Sequence, residues 1–209
     1  MEKSKQDNFR FDAEHHQYWL NGVLLPGYSE IAEAEGLTDY SCVRPDVLFA
    51  AKKFGTAGHT MTALWDQGVL NVSILDPNLA PYLTGYQKFL RRHKVEVDPE
   101  WIESPTYSKI WKYGVTPDRL AVVDGKLTVY EIKFTAQIPS STAIQTAAQK
   151  IAIEERTGLR IKRRLGIQVL PEDFKIEPFT KIRDETIWKS AVNLYHYRKE
   201  NNLLCKPYK

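Results

Sequence analysis

Apolar and polar residues alternate through "FRFDAEHHQYWLNGVLL", Phe9 to Leu25, and the alternation turns over at Asn21-Gly22. Period two around an Asn-Gly pair predicts a β-hairpin, because the tight turn that suits twisted strands needs positive φ at both central residues. A short helix is expected after Ser29. From Pro45 to Trp65 small and apolar residues recur at helical spacing, with Gly55 and Gly58 either loosening the helix or letting another segment approach closely. Tyr82, Leu83, Tyr86, Phe89 and Leu90 form one more helical stripe, which ends in the basic "RRHK".

The period then returns to two. "WIESPTYSK", "GVTPDRLAVV" and "LTVYEIKF" predict three strands, the last two joined at Asp124-Gly125. A helix is expected from about Ser141 to Arg156, stopped by Gly158, followed by strands near "RRLGIQVL" and "FKIEPF" and a last helix after Asp184. Mixed in this order, the elements predict an α/β fold. With 209 residues, 43% of them hydrophobic, and no internal repeat or low-complexity linker, the chain suits one globular domain.

Composition narrows the setting. No apolar run is long enough to cross a bilayer, and the opening "MEKSKQDNF" lacks the apolar stretch of a signal peptide, so a cytoplasmic protein with no membrane partner is expected. Cys42 and Cys205 are far apart and in no metal-binding spacing; free thiols are expected, and a cysteine-held metal site is not. Residues 1–150 hold 16 Lys+Arg against 18 Asp+Glu, whereas 151–209 hold 13 against 8, so the carboxy-terminal part is the basic one. Its densest cluster, "RIKRR", offers Arg160, Lys162, Arg163 and Arg164 either as nucleic-acid phosphate contacts or as a charged, solvated strand edge.

The hairpin around Asp124-Gly125 carries the candidate chemistry. If those two residues are the whole turn, Asp118 faces Glu131 across the hairpin, with Cβ atoms roughly 4.5–5.5 Å apart. Lys133 points to the same face, as do Leu120, Val122, Leu127 and Val129. Two opposed carboxylates beside an apolar stripe are costly unless a proton, a cation or a metal ion lies between them. A divalent ion such as Mg²⁺ or Mn²⁺ suits oxygen ligands and leaves positions for water and phosphate. The other reading is a salt-bridge cluster in which Lys133 serves both acids.

Pro117-Asp118 followed by Glu131-Ile132-Lys133 resembles the signature of the PD-(D/E)XK nuclease superfamily, and the flanking segments resemble its RecB-type exonuclease branch. "GTAGH", with Gly55 and His59, is similar to the early helix of that branch; Glu103 matches a first-strand glutamate, and "IQTAAQ", with Gln145, matches the helix after the signature. "HQYWLNGVLLPGYSEI" is similar to the amino-terminal hairpin and short helix of phage-type members. The likeness covers about residues 9–155. It implies a restriction-endonuclease-like core at about 44–180 in a mixed sheet flanked by helices, and a metal-dependent DNA exonuclease of phage or mobile-element recombination or DNA processing, with DNA and a recombination protein as partners. An endonuclease of the same fold and a non-catalytic nucleic-acid-binding module are the alternatives.

By the same resemblance, Asp118, Glu131, the Ile132 carbonyl and His59 hold Mg²⁺ or Mn²⁺, and Lys133 orients the attacking water. Glu103 serves a second ion, and Gln145 positions the substrate backbone or the lysine. Each has a structural alternative: His59 as a packed helical histidine, Glu103 as an exposed strand acid, Gln145 and Gln149 as a hydrogen-bonded pair. His15, His16 and His93 read as surface residues. Gln149, expected to touch the nucleic acid, stands where RecB-type members often carry tyrosine, and Gly58 replaces a more usual apolar residue, so that the helix is expected to bend there. Some relatives hold an iron–sulfur cluster on four cysteines; two cysteines cannot, and a fold without a cluster is expected.

Overall fold

In the computed structural model, which describes residues 7–39 and 41–204, both Asx-Gly pairs close two-residue turns. Asn21 and Gly22 have φ of 52° and 80°, Asp124 and Gly125 of 47° and 73°, the left-handed conformation that such turns need. The first turn joins β2 (Gln17–Leu20) to β3 (Val23–Leu25), with β1 (Phe9–Asp12) paired on the far side of β2. The second joins β7 (Arg119–Val123) to β8 (Lys126–Lys133) in the register the turn dictates, from Val123 opposite Lys126 to Arg119 opposite Tyr130.

That second hairpin is the centre of a five-stranded sheet in the order β10-β9-β8-β7-β4, with β4 at Glu96–Ile102, β9 at Arg163–Leu170 and β10 at Asp173–Pro178. β8 and β9 are parallel, and the chain between them forms the crossover helix α4 (Ser141–Thr157) that parallel neighbours require. The other pairings are antiparallel, so the architecture is mixed α/β, a central mixed sheet flanked by helices. Gly158, at φ 72°, ends α4 and its N–H donates to the Glu154 carbonyl.

Two predicted strands are each broken in two. "WIESPTYSK" stops at Ile102 because Glu103 turns to φ 48°, and the chain resumes as β5 (Thr106–Ser108). "GVTPDRLAVV" is split at Thr116–Asp118, where Pro117 has no N–H for a central ladder; its first part, β6 (Tyr113–Val115), pairs with β5 in a separate two-stranded sheet.

Helices cover both faces. α3 (Ala80–Arg92) lays Tyr86 and Phe89 against Ala121, Val123, Tyr130, Ile132, Leu165, Ile167 and Val169 on one side. On the other, Leu120 and Val129 meet Trp101, Ile161 and Ile153 of α4. Beyond α4, α1 (Tyr28–Ala34) and α5 (Arg183–Glu200) close a further apolar layer around Ile31, Trp188 and Tyr195. α2 (Pro45–Asp66) runs as one helix through both of its glycines. Gly58 is there for close approach: a Cβ would lie 2.5 Å from the Phe134 ring, so it is the neighbour's contact, and not a break in the helix, that the glycine serves.

Among the described residues no helix is long and apolar enough to cross a membrane. Cys42 is an exposed free thiol, and Cys205 lies outside the described residues.

Candidate metal centre

The site forms where the β7–β8 hairpin opens. Extended past Arg119, the register sets Asp118 opposite Glu131 and Pro117 opposite Ile132. The Ile132 N–H donates to Asp118 Oδ2 at 2.6 Å, which fixes one oxygen of the acid and leaves the other pointing onward. The N–H and C=O of one residue face the same side of a strand, so the Ile132 carbonyl also faces this end, and a proline opposite cannot donate a ladder bond to it.

α2 brings His59 to that oxygen: His59 Nδ1 lies 3.4 Å from Asp118 Oδ1 and 3.4 Å from Glu103 Oε1. Glu103 reaches the site because its left-handed backbone turns it out of β4 while its N–H donates to the Asp118 carbonyl at 3.0 Å. One nitrogen and two carboxylate oxygens, all within 4.8 Å of one another, are a donor set that can hold a divalent ion.

Glu131 belongs to the same buried end but not to that triad. Its Oε2 accepts from Lys133 Nζ at 2.7 Å, and its Oε1 accepts from Gln149 on α4. Lys133 Nζ also donates to Gln145 Oε1 at 3.2 Å, so Gln145 touches the lysine. The structure thus gathers His59, Glu103, Asp118, Glu131, Lys133 and Gln145 into one place, and its closest ligand group contains Glu103 where the sequence argument put Glu131.

Charge at this end is under strain. Burial raises the Asp118 pKa above its ordinary value, His59 opposing and Glu103 reinforcing the shift. Burial raises Glu131 as well, with Asp118 adding to it. For His59 burial disfavours the imidazolium, yet Asp118, Glu103 and Glu131 outweigh it and push the pKa up to about 9. A cation between these groups relieves all three at once.

On the opposite face of the sheet lies a buried network that the sequence reading missed. Arg119, with 0% of its side chain exposed, donates through Nε to Asp66 at 2.6 Å and through one terminal nitrogen to Glu103 at 3.2 Å. Tyr86 donates to Asp66 at 2.7 Å and shares a hydrogen bond with Tyr130. The signal was in the pattern: Arg119 falls in phase with Ala121 and Val123, where only an apolar or a paired residue fits.

Other expected contacts lie elsewhere. Gln149 is fully buried and holds Glu131 and the Thr116 carbonyl, so it faces the acid and not a substrate. β9 is an inner strand of the sheet, which removes the solvated-edge reading of "RIKRR". Arg164 is buried, donating to Asp184 at 2.7 Å and to the Ala143 and Lys181 carbonyls. Arg163 is half-buried beside Asp124 and the Val123 carbonyl, leaving Arg160 and Lys162 as the exposed members of the cluster. His15 is exposed, and His93 is half-buried against Asp124.

A cleft of about 940 Å³ opens onto the site, with His59, Glu103, Asp118 and Gln145 on one side and His16 and Tyr18 of the amino-terminal hairpin on the other. Tyr18 is buried, its ring lying where a Cβ on Gly114 would be, and its hydroxyl hydrogen-bonds Thr116 at 2.9 Å and His16 at 3.1 Å. The far wall of the cleft is thereby fastened to the residue two before Asp118.

No family model and no curated protein matches the chain. Among solved structures it is similar to a candidate exonuclease from Eubacterium rectale, at 10% sequence identity and a TM-score of 0.45, over 72% of this chain and 69% of that one.

Proposed function

We propose that the chain is a metal-dependent deoxyribonuclease, an exonuclease of the RecB-type PD-(D/E)XK kind built as a single domain. The observation that carries this reading is the buried Asp118–Glu131 pair at the open end of one hairpin, with Lys133 beside it and His59 and Glu103 completing a ligand set. So much negative charge out of water is a poor structural device and a good cation site.

His59, Glu103 and Asp118 would hold Mg²⁺ or Mn²⁺, with Glu131 and the Ile132 carbonyl within the same end of the hairpin. A bound divalent ion lowers the pKa of its water and offsets charge developing on the phosphate. Lys133, steadied by Glu131 and Gln145, orients the attacking water and adds a compact positive charge near the phosphate. Gln149 keeps Glu131 from turning into the core. Arg160 and Lys162 are the members of the basic cluster that remain suited to phosphate contact. The substrate in this reading is end-bearing DNA in the cytoplasm, in phage or mobile-element recombination or DNA processing, alongside a recombination protein.

The test is digestion of end-labelled linear single- and double-stranded DNA and of covalently closed circles, with Mg²⁺, Mn²⁺ or EDTA. Nucleotide release from linear DNA that stops in EDTA, with circles persisting, is the expected result. Rapid cutting of circles replaces the exonuclease by an endonuclease. No cutting with either ion removes the enzyme and leaves a nucleic-acid-binding module.

A further inference from the structure

α2 leaves the body of the protein toward its own start. Its second half is anchored by buried Gly58, Met61 and Thr62, whereas from Pro45 to Lys53 every residue but half-buried Leu48 is exposed. Within that projecting stretch Phe49 is 72% exposed, a large aromatic ring held in water.

Helical phase says which way it faces. Thr56, His59, Thr60, Ala63 and Gln67 line the cleft. Seven residues before Thr56, His59 and Thr60 stand Phe49, Lys52 and Lys53. Seven residues are close to two full turns, so these three continue the cleft-lining stripe outward along the same side of the helix. Val47, also exposed, falls on the opposite side. Arg44 and Asp46 pair with each other at 2.6 Å, and Lys52 and Lys53 are both exposed along the stripe.

We propose that this face of α2 is a landing strip for single-stranded nucleic acid, Phe49 stacking on a base and Lys52 and Lys53 meeting the phosphates beside it. The proposal rests on the nuclease reading for its direction, the strand running from the strip into the cleft. An aromatic face flanked by cations binds unpaired bases of any sequence, because every base has a π-face and every linkage a charge. A duplex offers base edges and phosphates to a protein surface, and its base faces are already stacked. The strip also answers a need of the site: the cleft floor is acidic, and phosphates approaching it gain from cations placed before the acids. From Phe49 to His59 is ten residues, about 15 Å of helix. At roughly 3.4 Å per stacked nucleotide, the base on Phe49 lies about four nucleotides from the metal centre.

The test uses the full chain in two assays. In EDTA, anisotropy of a labelled twelve-nucleotide oligo(dT) should show Phe49→Ala binding about tenfold more weakly than wild type, Phe49→Trp binding at least as well, and Val47→Ala unchanged. Changing Lys52 and Lys53 together to alanine should weaken binding and flatten its salt dependence. In Mn²⁺, Phe49→Ala should raise KM about tenfold for the twelve-nucleotide strand and less than twofold for a trinucleotide, which is too short to span from site to strip. Wild-type affinity in Phe49→Ala, an equal loss on the trinucleotide, or an equal loss on blunt duplex overturns the strip. A wild type that binds oligo(dT) through Phe49 but cuts nothing with any ion overturns the nuclease reading and leaves the strip standing; one that cuts while Phe49→Ala behaves as wild type does the reverse.

Discussion

Asp118 and Arg119 are consecutive, and each anchors a buried charge cluster at the same end of the sheet, on opposite faces. On the α3 side Arg119 meets one buried acid, Asp66, two tyrosine hydroxyls complete the network, and one guanidinium nitrogen reaches Glu103 of the other cluster at 3.2 Å. On the α4 side Asp118, Glu131 and Glu103 outnumber the cations His59 and Lys133. The first cluster is buried, and even with Arg119 counted toward Glu103 the four acids of the two clusters face three cations. The second carries surplus negative charge and opens into a cleft. A paired cluster serves the fold; a surplus of negative charge held out of water suits a cation from outside.

The sharpest way to break that contrast is Asp118→Asn. It should lower cleavage by on the order of 10³-fold or more, the scale of losing one electrostatic stabiliser in a dry site, while the metal-free protein melts no earlier than wild type. The amide keeps an oxygen for the Ile132 N–H and removes one repelling charge. Wild type should melt later when Mn²⁺ is added, and the variant should respond much less. A variant clearly less stable in EDTA, together with a wild type indifferent to metal, would return the site to a salt-bridge cluster.

Arg119→Met makes the opposite cut. It strands Asp66 without its partner and should cost about 3–5 kcal/mol of stability in urea unfolding, with or without metal. An unfolding midpoint within error of wild type would show that the two clusters are not different in kind.

Within the open cluster, His59 and Lys133 should separate. His59→Ala should lower activity by roughly 10–100-fold and recover in part with excess Mn²⁺, as expected of a lost ligand, whereas Lys133→Ala should not recover at any concentration. Equal rescue of both by Mn²⁺ is the outcome that refutes these roles.

The smallest effect is on pH. Asp118, Glu131 and His59 all have folded-state pKa values above their ordinary ones, so the folded protein binds more protons than the unfolded one and loses stability as pH rises. The His59 share is complete below pH 6.5 and is lost as pH climbs through about 9. Melting in EDTA should therefore fall across that window. Metal affinity should rise over it, since the ion must displace the histidine proton. A flat profile in EDTA would mean that His59 is not held by the acids around it.

Much of this was legible because it is local. Two Asx-Gly turns fixed the registers of two hairpins, and one of those registers put Asp118 against Glu131. Gly158 marked the end of α4 for the same reason, a backbone conformation that one residue type adopts freely. What failed was long-range. Nothing near Trp101 announces that Glu103 will leave its strand, since the pull comes from Asp118 across the bulged β4–β7 pairing. Gln149 was expected to touch nucleic acid, and that it meets Glu131 instead depends on how α4 rotates over the sheet. Arg119 stood out of phase with its charge, yet its partner Asp66 lies 53 residues away.

The fastening of Tyr18 to Thr116 also sets an order of events in the life of the chain. That contact spans 98 residues, and a loop of that length closes only after the entropy of closing it is offset by the structures it joins. The hairpin precedes in the chain the segment it docks on, because Gly114 and Thr116 come about a hundred residues later and must be in place before Tyr18 can dock. Pulsed hydrogen exchange during refolding should find the β8 amides protected before that of Leu20, which lies in the hairpin. Until that docking the cleft lacks the wall that His16 and Tyr18 supply.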